Sequence, residues 1–338
     1  MRQIWITKAG EPEVLQIKEA PDPTPGEGEI RIRVAASGIN FADIMARMGL
    51  YQDAPPIPCV VGYEVSGTVD AVGPGVSDWK EGDRVMSFTR FGGYSDVVVV
   101  PTTYALRVPD HLDLVDMAAI PVNYVTAWLM LMDLGNLKAR HQILVHAVAG
   151  GVGMAAVQIA KWRGATILGT ASASKHERLK EMGVDYPIDY RNEDFEQRVM
   201  EITKGRGVDI ALDAVGGESF KKSYRCTAQS GRLYLFGMSS GASSKSAGKI
   251  SFYRSALKSP IWPAVKLLLD NKGVQGVNLG HLWHEVDMLR EAMEEIMKLM
   301  SDGTFKPVVD AKFSFDDAAK AHHYIQDRKN FGKVLLTP

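Results

Sequence analysis

The sequence has few cysteines and almost no net charge, and both absences exclude classes of protein. Cys59 and Cys226 are the only cysteines among 338 residues, which excludes a secreted disulfide scaffold and favours a reducing compartment. Lys plus Arg total 39 and Asp plus Glu total 40, so the net charge is −1. Because affinity for phosphate backbones needs clustered positive charge, we expect no nucleic-acid partner.

The sequence also lacks a long uninterrupted apolar run. The longest apolar stretch, residues 117–132, contains Pro121 and Asn123 and is too short for a membrane-spanning helix. We interpret it as a buried helix together with the segment that leads into it. The first residues, MRQIWITKAGEPEV, show no apolar signal core. We therefore expect a cytoplasmic protein with no transmembrane segment, which leaves peripheral membrane association open.

Residues 1 to about 110 carry strand patterns. Residues 29–35 alternate apolar and polar side chains, as a half-buried strand does, and short apolar runs follow at 65–72 and 97–100. Glycines and prolines separate these runs. The pattern predicts a compact, partly open β-barrel.

From residue 141 onward, strand and helix patterns alternate about every 20 residues. Strands are predicted at 142–146, 165–170, 208–213 and 274–279, with helices at 151–163, 175–182, 218–227 and 286–301. This alternation predicts an α/β fold with a doubly wound parallel sheet. The segment GASSKSAGK, residues 241–249, is linker-like, and we expect a mobile loop there.

A glycine-rich turn lies between a predicted strand and a predicted helix. In the sequence HAVAGGVGMAAVQIA, residues 146–160, glycines at 150, 151 and 153 remove side chains where a pyrophosphate must approach the backbone. The helix N-terminus then offers N–H groups and partial positive charge. The first glycine of the G-x-G-x-x-G template is replaced by Val148, yet the strand–turn–helix context predicts dinucleotide binding.

The residues after the second strand of this unit favour NADPH over NADH. NAD-binding folds place an acid about 20 residues after the turn, and here Ala171 and Ser172 hold that position. Ser172, Ser174 and Lys175 suit a 2′-phosphate, and Tyr190 adds a hydroxyl. The alternative is that Ser174 caps the next helix and Lys175 is a solvated charge.

Motifs along the whole chain resemble one branch of a known superfamily. They are VAASGINFADIMARMGLY (34–51), VVGYEVSGTVDAVGPGV (60–76), LDAVGG (212–217), GRLYLFG (231–237) and GKVLL (332–336). These motifs resemble the zinc-free quinone oxidoreductase branch of the medium-chain dehydrogenase/reductase superfamily, related to zeta-crystallin. The runs GTASASKHE, PIDY, NLGHLW and NFGKVLL are closest to the vesicle amine transport protein-like family.

This resemblance implies the domain organisation and the assembly. It implies a GroES-like catalytic domain formed by residues 1–123 and 306–338, with a Rossmann NADPH-binding domain at 124–305. It also implies a homodimer formed through the Rossmann domains, as is usual in the family.

The resemblance also implies that catalytic zinc is absent. The positions of the cysteine and histidine that bind zinc in the zinc-dependent relatives are held by Asn40 and Tyr63, and four clustered cysteines for a structural zinc are lacking. We therefore expect no metal. Without a Lewis acid, quinones and conjugated carbonyls are the easier substrates, because conjugation spreads the incoming charge.

Asn40, Tyr51 and Tyr63 are the candidate catalytic residues. The Asn40 amide suits a substrate carbonyl or a cofactor hydroxyl, although it equally suits a turn. By resemblance Tyr51 lines the substrate pocket, and the alternative is a partly exposed aromatic residue in a proline-rich loop. Tyr63 has the same two interpretations, as a pocket residue or as a packed core residue.

The candidate cofactor contacts come from several strand ends and loops. Thr126 has the alternative of bonding its own helix backbone. The strand-end and loop candidates are Asn40, Asn123, Thr126, Ala149, Gly150, Gly151, Val152, Gly153, Thr170, Ser172, Ser174, Lys175, Tyr190, Val215, Phe236, Gly237, Met238 and Asn330.

The expected function is NADPH-dependent hydride transfer to quinones or α,β-unsaturated carbonyl compounds, without zinc. The alternative is a non-catalytic NADPH-binding protein with a vesicle- or trafficking-associated scaffold role.

Overall fold

The computed structural model describes residues 1–242 and 255–338. The strands are β1 (Arg2–Ile6), β2 (Leu15–Glu19), β3 (Glu29–Gly38), β4 (Glu64–Val72), β5 (Arg84–Phe88), β6 (Val97–Pro101), β7 (Ala105–Arg107), β8 (Gln142–Val145), β9 (Thr166–Ala171), β10 (Tyr186–Asp189), β11 (Val208–Asp213), β12 (Thr227–Leu235), β13 (Gly273–Gly276), β14 (Val309–Ser314) and β15 (Lys333–Thr337). The helices are α1 (Phe41–Arg47), α2 (Pro121–Trp128), α3 (Gly151–Trp162), α4 (His176–Met182), α5 (Phe195–Ile202), α6 (Glu218–Cys226), α7 (Ala264–Asp270), α8 (Val286–Ser301) and α9 (Ala318–Gln326). Apart from its first two residues, the loop predicted at 241–249 lies outside the described residues.

The chain divides into two compact units. Unit 1 comprises Met1–Val125 and Leu279–Pro338, and unit 2 comprises Thr126–Asn278. This division places residues 279–305 in unit 1, whereas the sequence analysis assigned them to the cofactor domain. The functional domain boundaries of 124 and 305 stay a prediction.

The main sheet of unit 1 is built around the long strand β3. Its strand order is β14-β15-β3-β4-β5-β7, and β6 also pairs with β3. The alternation predicted at 29–35 is confirmed, because Ile30, Ile32 and Val34 are buried in one apolar cluster while the polar residues between them are more exposed. The last strand of the chain, β15, pairs antiparallel with the end of β3, which brings Lys333 beside the segment that follows Gly38.

Unit 2 is a six-stranded parallel sheet flanked by helices. The strand order is β10-β9-β8-β11-β12-β13, and every pairing is parallel. This order places the two strands β8 and β11 next to each other, where the chain direction across the sheet reverses. In doubly wound sheets ligands bind beyond the carboxyl ends of the strands at this reversal. The predicted α/β fold class is confirmed.

Two elements differ from their predicted bounds. The strand predicted at 274–279 is shorter, because β13 ends at Gly276 and the chain turns through Leu279–His281. The apolar stretch 117–132 is broken into a short turn, α2 and a wider helical turn over Leu129–Asp133. Pro121 begins α2, a position where its missing N–H costs nothing. Within the described residues, no helix is both long and apolar enough to cross a bilayer.

Candidate cofactor and substrate sites

The glycine-rich turn of unit 2 connects β8 to α3. Ala147 adopts a left-handed conformation with φ of 50°, and Gly150 N–H donates to the Ala147 carbonyl at 2.8 Å. A Cβ at position 153 would lie 2.4 Å from the Val148 carbonyl oxygen and 2.6 Å from that of Ala147. Gly153 therefore lets the first turn of α3 pack directly on the turn. The N–H groups of that first turn have no acceptor within the helix, which fits a pyrophosphate.

The end of β9 lies beside this turn. Val148 N–H donates to the Thr170 carbonyl at 3.2 Å, which ties the turn to the adjacent strand. Beyond Thr170 the chain leaves the sheet at Ser172, whose hydroxyl lies 3.3 Å from that of Ser174. Among the residues predicted to hold a 2′-phosphate, the structure thus places two hydroxyls together, with Lys175 next along the chain. Tyr190 follows β10, the strand that pairs with β9.

The turn after β11 meets the segment that follows β12. Val215 N–H donates to Asp213 Oδ1 at 2.8 Å, and Ser239 N–H donates to the Ala214 carbonyl at 2.9 Å. A Cβ on Gly237 would lie 3.1 Å from the Ala214 carbonyl oxygen. The predicted cofactor residues Val215, Phe236, Gly237 and Met238 therefore share one edge of the sheet.

A buried polar network supports the glycine-rich turn. His146 bonds Thr170 Oγ1 through Nδ1 at 3.1 Å and Ser223 Oγ through Nε2 at 2.9 Å. Ser223 and Ser219 in turn donate to Asp213 Oδ2 at 2.6 and 2.7 Å. Burial lowers the pKa of His146, so its neutral ring acts as a hydrogen-bonding spacer between strand ends. The sequence analysis did not identify this network, because it joins residues far apart in the chain.

Asn40 lies in a second polar cluster, in unit 1. Its Nδ2 donates to Glu64 Oε1 at 2.8 Å, and its Oδ1 accepts from Lys333 Nζ at 2.7 Å. Lys333 Nζ also bonds Glu64 Oε1, and Glu64 Oε2 accepts from Val122 N–H at 2.7 Å. Both ends of the Asn40 amide are thus engaged once, and its direct contact with a substrate or cofactor stays a prediction.

This donor set does not fit a zinc ion. Lys333, which is 3% exposed, supplies the positive charge that Glu64 needs, and it does so as an ammonium that cannot ligate a metal. Asn40 and Tyr63, which the sequence analysis expected at the positions of the zinc ligands, offer an amide and a phenol. Over residues 1–242 and 255–338, no three His, Cys, Asp or Glu side chains converge as a ligand set.

Tyr51 and Tyr63 line the same cavity, which has a volume of about 340 Å³ and lies within unit 1. Their ring centroids are 6.3 Å apart with perpendicular planes, and Phe91 lies 5.2 Å from Tyr63. The Tyr63 hydroxyl is buried and forms no hydrogen bond of good geometry in the described part of the chain. Burial raises the pKa of Tyr63, with a smaller contribution from the nearby Tyr51 hydroxyl, which keeps the Tyr63 phenol protonated as a donor. The structure therefore brings two of the three predicted catalytic residues together.

The remaining candidates have local roles in the structure. Asn123 Nδ2 donates to the Ala119 carbonyl at 3.3 Å, and Asn330 Nδ2 donates to the Gly332 carbonyl at 2.9 Å. Thr126 is 7% exposed within α2. Their contacts with a cofactor stay predictions.

Family models match the chain in two regions. One, described as a zinc-binding dehydrogenase, covers residues 182–336, and the other, the alcohol dehydrogenase GroES-like domain, covers residues 26–110. The synaptic vesicle membrane protein VAT-1 homolog of Homo sapiens is 41% identical over 325 residues, which span 96% of this chain and 82% of that protein. The chain belongs to the VAT-1 homologue family of the medium-chain dehydrogenase/reductase superfamily.

Solved structures of other members have the same fold as this VAT-1 homologue. The quinone oxidoreductase of Escherichia coli, solved with NADPH, aligns with a TM-score of 0.89 and 33% identity and covers 100% of both chains. The CurK enoyl reductase aligns with a TM-score of 0.86 and 28% identity and covers 99% of this chain and 98% of that one. The predicted pairing of a GroES-like domain with a Rossmann-type domain is thereby confirmed.

Asp43 generates a pH-dependent prediction. It is fully buried in α1, where Oδ2 accepts from Asn40 N–H at 2.7 Å and Oδ1 from Gly62 N–H at 2.9 Å. Burial raises the pKa of Asp43 to about 7. The unfolded chain ionises this carboxyl above about pH 4, whereas the folded protein keeps it protonated up to about 7. Unfolding free energy therefore falls as pH rises between these values, and levels off above them.

We expect this fall to disappear in Asp43→Asn. Chemical unfolding of both proteins between pH 4 and 8, roughly the window set by the two pKa values, measures it. The difference, wild type minus variant, should decrease by a few kcal/mol with rising pH, and the exposed Asp78→Asn serves as the control. Parallel curves for wild type and Asp43→Asn would contradict the assignment.

Proposed function

We propose that this protein is an oxidoreductase that uses NADPH, without zinc, to reduce quinones or α,β-unsaturated carbonyl compounds. The observation that carries the proposal is the turn at 147–153, whose backbone approach leaves no room for a side chain at Gly153. The likeness to a quinone oxidoreductase solved with NADPH and to an enoyl reductase supports the same cofactor and reaction class.

The residues of unit 2 hold the dinucleotide in this proposal. The amides at the start of α3 bind the pyrophosphate, while Ser172, Ser174 and Lys175 bind the 2′-phosphate. An acid at this position would repel that phosphate, and none is present at the end of β9. The His146–Asp213 network keeps the strand ends in register, so that the turn is held in place before ligand binds.

The residues of unit 1 act on the carbonyl. NADPH, when bound, supplies a hydride for the electrophilic carbon. The Tyr63 hydroxyl donates a hydrogen bond to the carbonyl oxygen, where negative charge develops as the conjugated electrons shift. Addition is completed by one proton from solvent, which yields the saturated ketone or the hydroquinone. Lys333 and Glu64 position Asn40 and thereby the segment that leads into α1.

A second candidate is a non-catalytic role that retains NADPH binding. Relatives at 41% identity are named as synaptic vesicle membrane proteins, which favours a vesicle-associated scaffold. The two candidates make different predictions for turnover, although both require the cofactor site.

A homodimer is also part of the proposal. In unit 2, β13 is the edge strand, and the nearby segment exposes large apolar side chains. Leu257, Ile261, Val265, Leu268 and Leu269 are between 64% and 91% exposed. An exposed apolar surface next to an open sheet edge fits pairing with a second copy of the chain.

The activity itself is tested by steady-state oxidation of NADPH against a panel of quinones and enones, with NADH in parallel. We expect turnover with conjugated acceptors and little with simple ketones, because the site lacks a Lewis acid. Tight NADPH binding without turnover of any acceptor would favour the scaffold role. Failure to bind NADPH would contradict both candidates.

The cofactor preference is tested by Lys175→Ala. The variant should lose about tenfold in NADPH affinity, the worth of one charge-assisted contact, and almost nothing in NADH affinity. Titration calorimetry with both dinucleotides measures this, and Lys180→Ala in α4, the helix that follows Lys175, is the control. Equal losses for NADPH and NADH would refute the 2′-phosphate assignment.

A further inference from the structure

The cavity within unit 1 has the dimensions of a small-molecule site. Its volume of about 340 Å³ falls at the lower end of ligand pockets, which suits a compound of one or two rings. Three of its walls are the aromatic rings of Tyr51, Tyr63 and Phe91, and a fourth is Trp283. Trp283 is held by edge contacts with Phe88 at 5.6 Å and with Tyr104 at 5.7 Å. These fixed rings favour a flat, conjugated ligand.

The charged side chains that line the cavity differ in whether they have a partner. Asp53 Oδ2 lies 2.8 Å from His281 Nε2, so this carboxylate has a hydrogen-bond partner in the cavity lining. Arg90 also lines the cavity, and its guanidinium makes no hydrogen bond or ion pair with the described residues. An arginine is always protonated, so the exposed Arg90 is a cation in the lining with no anion bound to it.

The backbone of Arg90 is held in a strained conformation. Its φ is 56°, a region that non-glycine residues rarely adopt, and Phe91 N–H closes a tight turn on the Thr89 carbonyl at 2.5 Å. Both flanks of this turn are anchored, since Thr89 N–H donates to the Tyr63 carbonyl and Gly92 N–H to that of Val60. The backbone at Arg90 is thus held next to the cavity in a conformation that glycine would adopt at lower free-energy cost.

Two donors among the residues that line this aromatic cavity therefore lack a partner in the described part of the chain. The buried Tyr63 hydroxyl forms no hydrogen bond of good geometry there, and the Arg90 guanidinium lacks an anion. We propose that the substrate is a flat conjugated carbonyl compound that carries a carboxylate, with the carbonyl at Tyr63 and the carboxylate at Arg90. This proposal rests on the proposed function, and it adds the substrate class and a specificity-determining residue.

The test compares two substrates that differ in one charge. They are para-carboxybenzylideneacetone and its methyl ester, which share the same enone. In the wild type, kcat/KM should favour the carboxylate by about tenfold, as one charge-assisted contact implies, and added salt should reduce that preference. Arg90→Gln should lower kcat/KM for the carboxylate to the level of the ester and leave the ester unchanged. Arg90→Lys should retain part of the preference.

Arg328→Gln is the matched control, because Arg328 is also an exposed arginine of unit 1 with a φ of 58°. It should leave both substrates unchanged. Equal reduction of acid and ester by the wild type, with no effect of Arg90→Gln, would overturn the substrate class while the proposed function stands. If the acid, the ester and every other enone or quinone tested are left unreduced, the proposed function itself fails.

Discussion

Helix α3 begins directly against the end of strand β8 because position 153 has no side chain. The carbonyl oxygens of Ala147 and Val148 lie where a Cβ would be, so any other residue would push the helix away from the turn. This close approach aims the first amides of α3 beyond the carboxyl ends of the sheet. The proposed cofactor site depends on this close approach of helix and turn. His146, at the start of the turn, is held by hydrogen bonds to Thr170 and Ser223.

Unit 1 holds a buried polar cluster, and its fold is assembled from both ends of the chain. Strand β15 pairs with β3, and this places Lys333 against Glu64, 269 residues away in sequence. The ammonium and the carboxylate are buried against each other, and the half-buried Asn40 amide bonds both of them. A buried carboxylate without this partner would be costly, so the pair ties the C-terminal strand to the site.

The sequence predicted the elements and the glycine-rich turn because these depend on local pattern. Periodicity placed β11 and α8 at their observed bounds, and the glycine spacing located the start of α3. It did not predict the His146–Asp213 network or the Glu64–Lys333 pair, since these depend on which strands become neighbours. The cavity at Arg90 was missed for the same reason, because Trp283 and His281 reach it from the far end of the chain. Family motifs containing Glu64 and Lys333 were the available signal, although they do not state the contact.

The proposed function depends on where the dinucleotide binds. A crystal structure of the protein with NADPH tests this most directly. We predict the pyrophosphate on the amides at the start of α3, and the 2′-phosphate beside Ser172, Ser174 and Lys175. A complex in which this turn makes no contact with the dinucleotide would contradict the central claim, whatever activity the protein shows.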